Sequence, residues 1–327
     1  MIGRMLAARF QFSFAASTVA LGFFFATSIA IAAQGDCSFP PRKPVTLKNM
    51  GPCEFDVNTL SFKGNPAEQA ACLTTPVLKF GELAKERAEL PAGFAKRVGR
   101  SLDLPNRGDL KTFLLFSGLG RELGETLERP IAHANDGDPL ARSATYFVIH
   151  DTSAPNYLRR AFPDNIDTDR SINNLGRYYC ANRIERAHIF INRMGAILLG
   201  HDLEVPWRAT KFETATDFAQ ALKGLFLHNE LIQPRRGVPG RGWLNDFQAP
   251  IPGYSQAQYE RLALVYAVAS LRAGFWLIPA FHAVLDEGIY DKHDDPQNFE
   301  FEKFATAIDE LLKNLPAYAE SARNYIP

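Results

Sequence analysis

The sequence lacks the features that mark several large classes of protein. Its 36 basic and 36 acidic residues cancel, so no overall charge favours binding to nucleic acid. It contains no G-x-G-x-x-G or Walker loop for dinucleotides or phosphates, and no G-x-S-x-G turn that would present a nucleophilic serine. Four cysteines in 327 residues are too few for a small disulfide framework, and no C-x-x-C pair points to a cysteine zinc site. The 46% of hydrophobic residues suffices for the core of one large or two modest domains.

The beginning of the chain is strongly segregated. Residues 1–32 carry Arg4 and Arg9 but no acidic residue, and their nearly uncharged apolar run ends at the sequence AIA, residues 30–32. This pattern predicts a secretory signal peptide over residues 1–32, cleaved after about Ala32. An uncleaved membrane anchor is the alternative, since the run approaches the length that spans a bilayer. We therefore expect an exported protein, periplasmic or extracellular, with no stable membrane insertion after cleavage.

Export changes the interpretation of the cysteines. In an oxidising compartment Cys37, Cys53, Cys72 and Cys180 can form two disulfides, with three possible connectivities. The short loop between Cys53 and Cys72 makes this the pair that we favour, which would leave Cys37 with Cys180. The sequence by itself leaves the connectivity open.

Beyond the signal, the organisation changes near residue 138. Residues 33–138 are rich in proline, glycine and polar breaks, so we interpret them as an accessory N-terminal region, either a domain or a packing arm. The turn-rich stretch 133–139 then precedes the first clear strand, which makes residues 139–327 the candidate catalytic domain.

The second part has stronger secondary-structure signals. It contains apolar runs typical of strands, a tight hairpin, and two segments with helical periodicity, the first with a capping box at Ser255. Strands mixed with long helices predict an α/β fold with a mixed central β-sheet flanked by helices. The strands are expected at residues 146–150, 188–192, 196–200 and 225–232, and the helices from residue 256 and over residues 300–315.

Polar residues at three places in this part are suited to chemistry. His150 ends an apolar strand, His282 follows the long helix, and residues 291–299 concentrate titratable side chains. Two imidazoles and one carboxylate are a sound ligand set for zinc that leaves the fourth position to water. The chain has no H-E-x-x-H, so these ligands would have to meet through folding.

These segments resemble, in consistent order, the zinc-dependent N-acetylmuramoyl-L-alanine amidases related to T7 lysozyme and the peptidoglycan recognition proteins. The resemblance runs over residues 146–304, about half of the chain. The similar motifs are YFVIHDT at 146–152 (the family's I-H-x-T), AHIFINRMG at 187–195 (its hairpin), WRA at 207–209 (its W-H-A), LHNE at 227–230 (its strand with the catalytic Glu), and His282 with KHDDP at 292–296 (its H…K-x-D-P-G).

The resemblance implies a role for each matching residue. His150, His282 and Asp295 would be the Zn²⁺ ligands, with Asp294 as the rival of Asp295, and Glu230 would be the general acid/base. The family has a Lys two residues before its carboxylate ligand, where this chain has His293, so either Lys292 or His293 would stabilise the oxyanion. The remaining matches, for which structural or substrate-binding roles are expected, are His188, Trp207 and Arg208.

The implied reaction is hydrolysis of the amide between N-acetylmuramic acid and L-alanine, with peptidoglycan or muropeptides as substrate and no nucleic acid as partner. Two alternatives stay open at this point. One is a peptidoglycan-binding module of the same superfamily without catalysis, and the other is a different secreted hydrolase.

Overall fold

Strands and helices alternate along the part of the chain that the computed structural model describes, which is residues 51–178, 186–215, 218–238 and 247–323. The strands are β1 (Phe55–Asp56), β2 (Ser61–Phe62), β3 (Tyr146–Asp151), β4 (Ile189–Ile191), β5 (Ile197–Leu199), β6 (Phe226–Leu231), β7 (Arg236–Gly237), β8 (Phe247–Gln248) and β9 (Ile278–Phe281). The helices are α1 (Pro66–Leu73), α2 (Ala92–Arg97), α3 (Arg107–Phe116), α4 (Ala134–Gly137), α5 (Ala219–Leu222), α6 (Gln256–Ala273), α7 (His282–Leu285) and α8 (Phe301–Arg323).

A five-stranded mixed sheet organises these elements. Its strand order is β5-β4-β6-β3-β9, in which β4, β6, β3 and β9 run parallel and β5 pairs antiparallel with β4 at one edge. The predicted α/β class with a mixed sheet is confirmed, as are the predicted strands and the hairpin, each to within two residues. Because β6, β3 and β9 are parallel neighbours, their carboxyl ends lie at the same edge of the sheet.

The two faces of this sheet differ in their side chains. Tyr146 and His150 of β3 pair with Phe226 and Glu230 of β6, so these side chains and His228 between them point to one side, which we call the polar face. The alternate residues of β3 point to the other side, the apolar face, where the Phe147 ring lies 5.1 Å from that of Tyr266 in α6. Helix α6 therefore covers the apolar face.

The two long helices are stacked outside the apolar face. Helix α6 begins with the predicted capping box, in which Ser255 and Gln258 each bond the backbone of the other, and α8 packs on α6. The prediction that α8 ends near Leu315 is wrong, because the helix continues through Pro316 to Arg323. A proline removes only one internal hydrogen bond, and the buried side chains of Ala319 and Ala322 hold the last turns against the core.

Residues 51–73 cover the half of the polar face at the amino end of β3. Phe62 packs edge-on against Tyr146, whose hydroxyl accepts a hydrogen bond from Phe62 N–H (2.9 Å) and donates one to Gln69 (3.0 Å). The described residues before 138 share one continuous hydrophobic core with the sheet. The covering segment is therefore packed on the same sheet that carries the polar side chains.

A disulfide joins Cys53 to Cys72 across this covering segment, which confirms the pair favoured from the sequence. A disulfide is consistent with an exported protein. Cys37 and Cys180, and the predicted signal peptide over residues 1–32, lie outside the described residues. Among the described helices, none is both long and apolar enough to cross a bilayer.

Candidate metal centre

The three predicted ligands come from separate elements that meet at the carboxyl edge of the sheet. His150 is the fifth residue of β3, and His282 directly follows β9, which is the parallel neighbour of β3. Asp295 lies in the loop between α7 and α8, and its backbone carbonyl accepts a hydrogen bond from Ala283 N–H. The topology thus places two imidazoles side by side and the loop brings the carboxylate to them.

The facing atoms of these side chains form a small buried triangle. The Nδ1 atoms of His150 and His282 are 2.8 Å apart, and Asp295 Oδ2 lies 3.1 Å from His282 Nδ1 and 3.8 Å from His150 Nδ1. None of the three residues is more than 4% exposed. Two ligand atoms on a tetrahedral zinc ion are about 3.3 Å apart, so the triangle has the size of a single ion's coordination sphere. These residues could hold a metal ion.

The nitrogen of His282 that points away from the triangle, Nε2, lies beside a carboxylate. His282 Nε2 lies 3.0 Å from Asp286 Oδ2. Burial opposes the charged form of Asp286, but His282 and His293 beside it outweigh burial and lower its pKa below the usual range. The carboxylate of Asp286 favours a hydrogen on Nε2, and a neutral His282 with that hydrogen presents the lone pair of Nδ1 to the triangle.

The triangle consequently favours a positive charge. The lone pair of His282 Nδ1 and the carboxylate of Asp295 would repel each other at 3.1 Å without a positive charge between them. Burial disfavours a charged His282, but Asp295 and Asp286 on its two sides outweigh burial and raise the pKa of this imidazole well above its usual value. The site therefore stabilises positive charge, supplied either by a proton or by a metal ion.

Of the two candidate carboxylates, Asp295 is the one that joins the triangle. Burial alone would raise the pKa of Asp295, but the neighbouring His282 lowers it, and the backbone N–H of Asp151 donates to Oδ2 at 3.1 Å. Asp294 has 37% of its side chain exposed and bonds instead to Gln297 and Arg235. The geometry thus favours Asp295 over Asp294.

Glu230 lies beside the triangle on the neighbouring strand, opposite His150 in the register of β6 and β3. Its Oε2 atom is inaccessible to solvent and has no hydrogen-bond partner among the described residues. Burial, together with the negative charges of Asp295 and Asp151, raises the pKa of Glu230 well above its usual value. The Oε2 atom of Glu230 is therefore buried beside the triangle, and the residue is not a fully solvated strand carboxylate.

The two candidate cations occupy different positions. The Lys292 ammonium pairs with Glu287. The ring of His293 stacks on that of His282, with centroids 4.0 Å apart, and its Nδ1 lies 2.9 Å from Asp286 Oδ2. His293, which is 42% exposed, therefore adjoins the centre, next to an open cleft of about 230 Å³ that it lines with Lys292, Asp294 and Arg235.

His282, Asp286 and His293 form a second group of potential metal donors. In this group one carboxylate oxygen lies 3.0 Å from His282 Nε2 and 2.9 Å from His293 Nδ1. His293 Nδ1 is placed for a hydrogen bond to Asp286, whereas His282 Nε2 has no hydrogen bond among the described residues and interacts with Asp286 through charge. We therefore interpret Asp286 as the residue that orients His282.

The structure places the other matching residues away from the triangle or buries them. His188 is fully buried; its Nδ1 accepts from His228 N–H and its Nε2 donates to Val205 O, both at 3.0 Å. Burial lowers the pKa of His188 to about 3. Its substrate-binding role is therefore replaced by the structural one, because neither nitrogen can reach a substrate.

Trp207 and Arg208 are half-buried. The indole of Trp207 lies 4.3 Å from the His201 ring and donates to Arg186 O. Arg208 donates to Ala219 O in α5, which precedes β6, so this contact is at the opposite end of the strand from Glu230. The structure does not bring Arg208 to the triangle.

Sequence reasoning missed three buried residues around the centre. Asp286 follows His282 by four residues, a spacing that places the two on one face of a helical turn and could have indicated it. His228 shares a face with Glu230 by the two-residue period of a strand, and it contacts His150. Glu213, which contacts His228, lies in a short turn and gives no signal in the sequence.

Comparison with models of protein families, with curated proteins and with solved structures finds no match to this chain. The centre therefore has to be interpreted from its own geometry.

Proposed function

We propose that this protein is a zinc-dependent amidase that cleaves the bond between N-acetylmuramic acid and L-alanine in peptidoglycan or muropeptides. The observation that carries the proposal is the buried triangle of His150, His282 and Asp295, which stabilises positive charge, next to Glu230, whose Oε2 has no hydrogen-bond partner among the described residues. The choice of substrate rests on the resemblance of residues 146–304 to the amidase family.

The donor set supports zinc among the common metals. Two imidazole nitrogens and one carboxylate oxygen are typical of hydrolytic zinc sites, in which three protein ligands leave the fourth position open. A zinc ion held there supplies Lewis acidity, which polarises an amide carbonyl and makes water a stronger nucleophile. The cleft of about 230 Å³ that His293 lines is the site at which we place the substrate.

Glu230 is the general acid/base of the proposed reaction. Its Oε2, which has no partner among the described residues, takes a proton from the attacking water and delivers it to the nitrogen of the leaving amine. The raised pKa of Glu230 suits the second of these steps, because it helps the carboxyl group to hold the proton until it passes to the leaving amine.

His293 is the group that we assign to the developing oxyanion in preference to Lys292. Its ring lies against His282 and lines the cleft, whereas the Lys292 ammonium is engaged by Glu287. A positive group in this role is worth about 3 kcal/mol of transition-state stabilisation. Export, with which the disulfide is consistent, would bring the enzyme to peptidoglycan in the periplasm or outside the cell.

Product analysis tests the proposal. The purified protein is incubated with peptidoglycan, with a chelator, and with the chelator followed by added zinc, and the products are analysed by mass spectrometry. We expect free stem peptides that begin with L-alanine, lost on chelation and restored by zinc. His150→Ala, which removes a ligand, should neither bind zinc nor release peptides.

The other outcomes are equally informative. Cleavage within the glycan, or peptide release that is insensitive to the chelator, would refute the proposed reaction and favour a different hydrolase. Binding to peptidoglycan without any cleavage would favour the non-catalytic module.

A further inference from the structure

A buried chain of polar groups extends behind His150, away from the triangle. His150 Nε2 lies 3.0 Å from His228 Nδ1, and His228 Nε2 lies 3.2 Å from Glu213 Oε2. Both His228 and Glu213 have no exposed surface. Burying a carboxylate and an imidazole is unfavourable unless they interact with specific partners, so this chain calls for an explanation.

The hydrogens along this chain can be assigned from its far end. Glu213 Oε2 already accepts from Ala209 N–H (3.1 Å), Thr210 N–H (3.0 Å) and the Thr210 hydroxyl (2.9 Å). His228 Nε2 is not aligned for a hydrogen bond to this oxygen, but a hydrogen on Nε2 avoids placing a lone pair 3.2 Å from a carboxylate oxygen that already accepts three hydrogen bonds, so the charge of Glu213 favours a hydrogen on Nε2. In a neutral imidazole the other nitrogen then has a lone pair.

The position of the hydrogen on His228 determines the position of the hydrogen on His150, the proposed metal ligand. The lone pair of His228 Nδ1 accepts from His150 Nε2, which therefore carries the hydrogen. His150 Nδ1 is left with its lone pair, and this is the nitrogen that faces His282 and Asp295. The chain thus selects the tautomer of His150 that can bind a metal ion.

Both members of the pair are held rigidly. The N–H of His228 donates to His188 Nδ1, and the two rings are nearly parallel with centroids 5.7 Å apart. Glu213 N–H donates to the Thr210 hydroxyl, which in turn donates to Glu213 Oε2, so the carboxylate is fixed within its own turn. A ligand held by such a pair loses little conformational entropy on binding a metal.

We propose that Glu213 and His228 are positioning residues that fix the ring and the tautomer of His150 and thereby set the metal affinity of the centre. The inference rests on the proposed metal site. His282 is oriented by one carboxylate, Asp286, whereas His150 is oriented by a carboxylate acting through a second imidazole.

Zinc affinity measured by competition with a chromophoric chelator tests the inference without reference to activity. In Glu213→Gln the side chain keeps its size but loses its charge, and we expect the Kd for zinc to rise about 10–100-fold. His228→Leu, which removes the contact to His150, should give a rise of the same order and serves where Glu213→Gln does not fold.

A matched control separates positioning from stability. Phe226→Leu alters a buried residue two positions before His228 on the same face of β6. It should lower the thermal stability of the metal-free protein while leaving the Kd for zinc within about twofold of the wild-type value, since its ring packs against Tyr146 and Phe212, which are not members of the polar chain. Cobalt-loaded protein gives a second readout, because its visible d–d bands should shift in Glu213→Gln and stay unchanged in Phe226→Leu.

The possible failures can be told apart. If the wild-type protein binds no zinc, both the proposed function and this inference are refuted. If it binds zinc, and folded Glu213→Gln or His228→Leu binds it equally well with the same cobalt spectrum, only the positioning role is refuted and the pair is purely structural.

Discussion

The two faces of the central sheet are built from alternate residues of the same strands, yet they differ in kind. On the apolar face, Phe147 and its neighbours pack against α6. On the polar face, Tyr146 is covered by residues 51–73 and Phe226 stacks beside it, and beyond them His228, His150 and Glu230 follow toward the carboxyl edge.

This difference indicates that residues of a single strand can contribute separately to the stability of the fold and to the candidate metal site. Residues 147 and 150 are only three positions apart, but one contacts a helix and the other contacts potential metal ligands. Substitutions on the apolar face should therefore change the free energy of unfolding and leave metal binding intact, and substitutions at the carboxyl edge of the polar face should do the reverse.

The largest effect is expected at Glu230. Glu230→Gln keeps the shape of the side chain but removes the proton-accepting carboxylate, so amide hydrolysis should fall about 10²–10⁴-fold. The Kd for zinc should change little, because Glu230 is not one of the three ligands. Single-turnover release of stem peptide and chelator competition measure the two quantities, and full activity in this variant would exclude Glu230 as the acid/base.

The next effect tests the apolar face. Phe147→Ala removes a ring that has no exposed surface and leaves a cavity against Tyr266, so the free energy of unfolding should fall by about 3–5 kcal/mol. The fraction that remains folded should bind zinc with unchanged affinity. Urea unfolding of the metal-free protein checks the first value; a parallel loss of zinc affinity would mean that the two faces are coupled.

How much of this arrangement the sequence predicts depends on how far apart in the chain the interacting residues lie. The strands over residues 146–150 and 225–232 were predictable because continuous apolar runs indicate local burial. His150 and His282 are 132 residues apart, so no local pattern can bring them together. Only the order of motifs in the amidase family suggested that they meet.

The orienting residues are harder still to predict. Glu213 is an acidic residue in a short turn, as on many protein surfaces, and its burial depends on how the loop before α5 crosses the polar face. His188 shows the converse, since it matches a family motif but uses both nitrogens to bond the backbone. A residue type and its neighbours in sequence do not determine which of these environments it occupies.

A smaller effect is expected for the covering segment of the polar face. The disulfide between Cys53 and Cys72 closes a loop of 19 residues, which should stabilise the folded protein by about 3 kcal/mol. The double variant Cys53→Ser, Cys72→Ser should therefore unfold at a lower urea concentration, and added reductant should shift the wild-type curve toward it. Unchanged zinc affinity is expected, because neither cysteine contacts the triangle; a lost zinc site would show that the cover also shapes the centre.

The smallest effect concerns His188, which lies on the polar face but is structural. Its pKa is about 3 in the folded protein, because of burial, against 6.5 for a free imidazole, so below pH 6.5 the unfolded chain takes up a proton that the folded protein cannot. The stability that depends on a neutral His188 is thus complete above pH 6.5 and declines as the pH falls toward 3. Between pH 7.5 and 5.5 this amounts to about 1.4 kcal/mol.

The variant His188→Gln isolates this contribution from that of every other titrating group. Its amide can still donate to Val205 O but does not titrate, so from pH 7.5 to 5.5 it should lose about 1.4 kcal/mol less stability than the wild-type protein. Urea unfolding with a chelator present keeps metal release out of the comparison. Equal losses in the two proteins would mean that His188 is protonated in the folded state. The titratable groups of the polar face would then include His188, contrary to what its hydrogen bonds indicate.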